Sequence, residues 1–162
     1  MPIIVFAVRF IVAGEVDLAL AGGQLLVAAV LAVVLKAVLV WRRAVLNPLL
    51  LGVDLWLVVG AIGFNVPVPP IMDRMVVLGA TSLFIAMGAV AAVMSFASRG
   101  GALGPDDLDR VFVQRASGVV VGLCVVAVWW SLWWSGDLRV GGGIPFIVVN
   151  VARRLLMRRG RG

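Results

Sequence analysis

Two long apolar runs joined by a short basic turn most constrain what this chain can fold into. Residues 22–40 are apolar apart from Gln24 and Lys36; Trp41-Arg42-Arg43 follows, then Asn47-Pro48 and a second apolar run over residues 49–66. At about 1.5 Å of rise per residue, each run covers most of a hydrocarbon layer roughly 30 Å thick. Lipid offers no partner to an unpaired N–H or C=O, so such runs cross as helices. The pattern predicts a membrane hairpin. Trp41 suits the headgroup layer, and Arg42 and Arg43 mark the cytoplasmic side. Asn47 caps the second helix, with Pro48 at its first position, and Pro67, Pro69 and Pro70 end it.

Each arm carries one charge. Lys36 lies six residues before Arg42 and Asp54 seven after Asn47, which puts both at a depth of roughly 9–12 Å in the same leaflet. Gly22, Ala29, Lys36 and Arg43 share one helical stripe; Asn47, Asp54, Ala61 and Asn65 share another. Two readings stand. In one, the small and polar stripes face each other and Lys36 pairs with Asp54, as an intramembrane ion pair that is either structural or functional. In the other, Lys36 snorkels to the headgroups and Asp54 binds a water or a serine elsewhere.

Composition sets the class. Of 162 residues, 63% are hydrophobic, against nearly half in soluble domains, and the mean hydropathy is +1.15. The net charge of +6 gathers at helix ends, with no basic patch interleaved with aromatics outside the spans, so nucleic acid is not an expected partner. There is no His, and Cys124 is the one cysteine. An intrachain disulfide, a Cys/His zinc site and a His-based triad are therefore excluded. Cys124 reads as an apolar filler within a span. No catalytic set, metal site or cofactor is expected. Ala19-Leu20-Ala21 resembles a cleavage site, but Glu15 and Asp17 interrupt the stretch before it, which argues against a signal peptide.

Along the chain, residues 2–13 are apolar with Arg9 inside, and residues 1–17 read either as an interfacial helix or as part of a first span. A span over 75–97 carries the small-residue seam Gly79, Ser82, Ala86 and Ala89, which predicts close helix packing. Gly100, Gly101 and Gly104 predict a flexible entry to a cytoplasmic amphipathic loop over 98–116. In that loop Pro105 starts a short helix, Leu108, Val111 and Phe112 face the membrane, and Asp106, Asp107 and Asp109 cap rather than bind metal. The span 117–135 contains Gly118-x-x-x-Gly122, a packing motif, and ends in Trp129, Trp130, Trp133 and Trp134, an outer aromatic belt. The last span, 140–157, carries Asn150, expected to bond another helix, and crosses if Arg153 and Arg154 reach back to the headgroups. Ten arginines at expected inner ends against Arg74 and Arg139 outside orient the C-terminus toward the cytoplasm. The expected architecture is an all-α polytopic bundle of five or six transmembrane helices in one integral membrane domain, with spans 18–41, 47–66, 75–97, 117–135 and 140–157.

The opening Pro2-Ile3-Ile4-Val5-Phe6, the helix closing on Trp41-Arg42-Arg43 and the amphipathic segment Asp106 to Arg115 resemble the layout of the bacterial intracellular septation protein A group. The likeness covers residues 2–66 best. It implies a small multi-pass protein of the inner membrane, linked to cell division or envelope upkeep, with no catalytic residues to carry over. The leading expectation is a non-enzymatic protein acting through helix contacts, with the lipid bilayer, a second copy of itself or other membrane proteins as partners. The alternative is a small transporter or channel subunit using Lys36 and Asp54, with Arg9 and Asn150 along a polar path. A membrane enzyme stands third, because only Asp106, Asp107 and Asp109 cluster.

Overall fold

A computed structural model describes residues 18–42, 46–66, 69–105, 107–135, 137 and 139–161, with the side chains of 18–21 and 69–72 excepted. The chain is all-α: among the described residues there are six α-helices and no strand. They are α1 (Leu18–Trp41), α2 (Pro48–Asn65), α3 (Pro69–Leu78), α4 (Ala80–Ala97), α5 (Arg110–Trp133) and α6 (Ile144–Arg159), with a π-helical turn at Arg139–Gly143 leading into α6. Five helical stretches are long and apolar enough to cross a membrane, namely Gly22–Trp41, Pro48–Asn65, Ala80–Ala97, Arg110–Trp133 and Arg139–Arg159. This is a multi-pass membrane protein. Its many exposed Val, Leu, Ile and Trp side chains are what lipid-facing helices present.

Contacts cluster into two compact units, residues 1–44 with 54–77, and residues 45–53 with 78–162. In the first, α1 and the later part of α2 form an antiparallel pair, burying Leu25, Ala28, Ala29 and Ala32 on α1 and Leu57 and Ala61 on α2. Gly60 lets α2 approach its neighbours, since a Cβ there would stand 3.0 Å from Met75 Cε and 3.4 Å from Leu25 Cδ1. Asn47 caps α2 as expected, its Oδ1 accepting from the Leu49 N–H at 3.1 Å.

In the second unit, α4 and α5 run antiparallel. The buried line on α4 is Thr81, Phe84, Met87 and Ala91, and that on α5 runs Val113, Ala116, Ser117, Val120, Cys124, Ala127 and Ser131. Both repeat every three or four residues, the period of one helix face. Gly88 brings the helices together at Cys124, where an added Cβ would lie 3.2 Å from the Cys124 Cβ. Closer still, Gly52 at the start of α2 meets the backbone of α4. A Cβ at 52 would stand 2.5 Å from Met87 Cα and 3.0 Å from the Ala86 carbonyl oxygen.

Several boundaries differ from the sequence reading. The helix expected to run from residue 75 breaks at Gly79, whose φ of +48° lies in the left-handed region that other residues avoid. The helix after the loop that follows α4 starts at Arg110 rather than near residue 117, because Asp109 Oδ2 accepts from the Phe112 N–H at 3.0 Å and caps it there. Among the described residues no separate amphipathic helix starts at Pro105; Val111 and Phe112 are in the opening turn of α5. The entry at Gly100 and Gly101 is a packed turn rather than a loose linker, with Ala102 and Leu103 fully buried. The last span begins earlier and ends later than 140–157, because Asp137 Oδ1 accepts from the N–H groups of Arg139 and Val140 and starts the helical turn there.

Candidate functional site

In the first unit the two intramembrane charges meet. Lys36 Nζ lies 2.9 Å from Asp54 Oδ2, and both side chains are 17% exposed. That distance is the one of a charge-assisted contact between ammonium and carboxylate. At the far end of the same hairpin, Asn65 Nδ2 donates to the Gly22 carbonyl at 2.9 Å and to the Ala61 carbonyl at 2.9 Å. One ion pair near the turn and one amide near the open end thus fix the register of α1 on α2. Between these pins runs an apolar groove of about 350 Å³, lined by Leu26, Val30, Val33, Val58 and Ile62 among others, with Asn65 the one polar side chain in its lining.

The second unit holds a buried cation that the sequence reading placed elsewhere. Arg153 was expected to reach the headgroups beside Arg154; instead it is 7% exposed and Arg154 faces outward. Neighbouring helix positions point about 100° apart, so an Arg-Arg pair cannot send both side chains the same way. Arg153 Nη2 donates to the Leu103 carbonyl, and its Nε has no hydrogen-bonding partner among the described residues. The receiving turn is built for close approach. Gly101 and Gly104 have φ of +54° and +100°, the Ala102 N–H donates to Ser117 Oγ at 3.0 Å, and a Cβ at Gly104 would stand 2.7 Å from the Leu46 carbonyl oxygen and 3.3 Å from Arg153 Nη2. The starts of α2 and α5 and the ends of α4 and α6 therefore meet on one turn. The legible signal was the glycine spacing, which marks tight turns as readily as flexible ones.

The other expected residues distribute as follows. Of the seam on α4, Gly79, Ser82 and Ala86 are half-buried and Ala89 is exposed. The packed face is the adjacent one, because the bulk of Phe84 and Met87 fills the core and only the Ala86–Met87 backbone takes the close contact with Gly52. Among the described residues Asn150 bonds no other helix; its Nδ2 donates to the Phe146 carbonyl at 2.9 Å, one turn back in α6. Trp41, Trp129, Trp130, Trp133 and Trp134 are exposed. Trp130 Nε1 donates to the Val140 carbonyl at 2.9 Å, and its ring lies 6.2 Å from that of Trp134, so part of the belt also holds the turn into α6. Unforeseen is a buried polar contact between α4 and α5, Thr81 Oγ1 to Ser131 Oγ at 3.1 Å. Asp107 pairs with Arg161 at 3.6 Å. Arg42 is exposed at the end of α1, while Arg9 and Arg43 lie outside the described residues, as do Asp106 and the N-terminal stretch that carries the family resemblance.

The two glycines of the motif on α5 stand apart. Gly118 and Gly122 are exposed, and a Cβ on either would meet nothing within 4 Å among the described residues. They form a shallow open track on a lipid-facing helix, flanked by exposed Val119, Val125 and Val126. Compared with known protein families, with curated proteins and with solved structures, the chain matches none.

Proposed function

We propose that this chain is a non-enzymatic protein of a bacterial inner membrane that works by docking its helices against another membrane-spanning helix, in a second copy of itself or in another membrane protein. The open track at Gly118 and Gly122 carries the reading. Helices associate in lipid where small residues let backbones approach, since apolar burial gives no driving force there. Gly52 and Gly88 serve this purpose inside the chain, whereas no described residue packs against Gly118 or Gly122. A glycine within a helix costs up to about 1 kcal/mol relative to alanine, a cost that an external helix contact offsets. Resemblance to the septation group supports a place in cell division or envelope maintenance.

A transport role gains less support. The groove beside the Lys36–Asp54 pair is apolar, so it offers a migrating ion no series of polar partners. The helix-contact reading is tested with a photo-crosslinking residue at Val119 or Val126, activated in intact membranes. The expected adduct contains a second polypeptide; adducts with lipid alone would overturn the reading.

A further inference from the structure

The outer face of α6 changes character along its length. Ile147, Val151 and Leu155 are 62%, 48% and 54% exposed, and the exposed Arg154 and Arg158 continue the same face toward the C-terminal end. Spacings of three and four residues keep these five side chains on one side of a helix. An apolar strip that ends in two cations has the profile of a phospholipid, acyl chains along the strip and phosphate at its end. Arg154 and Arg158 are one turn apart, roughly 6 Å along the axis, close enough for two guanidinium forks to share one phosphate. Neither has an acidic partner among the described residues; the ion pair at this end is formed by Arg161 with Asp107.

The face is also held in place. Arg153, on the opposite side of α6, is tied to the Leu103 carbonyl, which fixes the rotation of the helix. Gly160 packs against Phe112, where an added Cβ would collide with the ring at 3.0 Å or less, which fixes its end. The two outward arginines are thus presented by a helix anchored on its inner side, and less ordering remains to oppose binding. All basic residues of the chain except Lys36 are arginines, the side chain suited to phosphate. We propose that this face of α6 binds an anionic phospholipid, its phosphate held between Arg154 and Arg158 and its acyl chains lying along Leu155, Val151 and Ile147.

The test uses the full chain reconstituted in phosphatidylcholine bilayers containing graded phosphatidylglycerol, with the lipids retained on the protein measured by native mass spectrometry. Each arginine near an anionic surface contributes about a five-fold preference, so the wild type should retain phosphatidylglycerol well above its bulk fraction. Arg154→Gln with Arg158→Gln should remove most of that enrichment at unchanged helicity. Arg154→Lys with Arg158→Lys, which keeps charge but not the fork, should keep an intermediate part, and Arg99→Gln, outside this face, should lower it by no more than that single-residue factor. Enrichment that is absent in the wild type, survives the double glutamine change, falls equally in Arg99→Gln, or is displaced by millimolar inorganic phosphate would overturn the proposal.

Discussion

The α1–α2 hairpin and the α4–α5 pair are both antiparallel helix pairs in a membrane protein, and they are held by opposite means. In the hairpin, polar groups do the fixing, Lys36 with Asp54 near one end and Asn65 with the Gly22 carbonyl near the other, while an apolar groove lies open between them. In the α4–α5 pair, closeness does the fixing. Gly88 sits against Cys124, the core line of Phe84 and Met87 is buried, and one hydroxyl contact, Thr81 to Ser131, lies inside. Lipid rewards both routes, because an unpaired charge is costly there and dispersion needs short distances. They fail differently: a charge pair breaks all at once when one member is lost, whereas a packed seam loosens by the volume added or removed.

The largest expected effect breaks the polar route. Lys36→Leu or Asp54→Leu alone should destabilise by about 3–5 kcal/mol, since each leaves a charge without its partner, and the double change should recover to within about 1 kcal/mol of wild type. Unfolding in mixed micelles reads this directly; single changes as mild as the double would mean the charges never relied on each other. Next, Gly52→Ala forces a methyl against the Met87 backbone and should cost about 2–3 kcal/mol, whereas alanine at the exposed Gly118 or Gly122 should leave the isolated chain as stable or up to about 1 kcal/mol more so. The smallest effect sharpens the comparison. Thr81→Val should cost about 0.6–1.5 kcal/mol, the usual worth of a hydrogen bond between membrane helices, and the same loss in the Ser131→Ala background would show that the two hydroxyls are not coupled.

The hairpin was legible because its signals are local and repeat. Lys36 and Asp54 sit at matched distances from one basic turn, so their depth follows from counting; the sequence left open whether Lys36 turns to Asp54 or to the headgroups, and the ion pair decides it. The second unit was less legible because its decisive features are choices between equivalent local patterns. Arg153 and Arg154 look alike in sequence, and only the carbonyl of Leu103 selects which turns inward. Gly79 sits in an unbroken apolar run that reads as continuous helix, and its positive φ comes from the fold around it. The seam on α4 was offset by one face because small residues mark where helices are able to approach, while Phe84 and Met87 mark where the core has volume to fill. For Gly118 and Gly122 the motif was visible, yet whether the chain itself occupies it depends on where α4 lies.

The most direct measurement places a photo-crosslinker at Val126 in intact membranes and compares the protein adduct between wild type and the Gly118→Leu, Gly122→Leu variant, with the unfolding midpoint of both recorded in parallel. Among the described residues nothing lies within 4 Å of a Cβ at either position. If α5 presents a docking track, the adduct disappears in the variant while the variant unfolds at or above the wild-type midpoint, a gain of at most about 2 kcal/mol from the two helix-propensity changes. An adduct of equal yield in both proteins would contradict it.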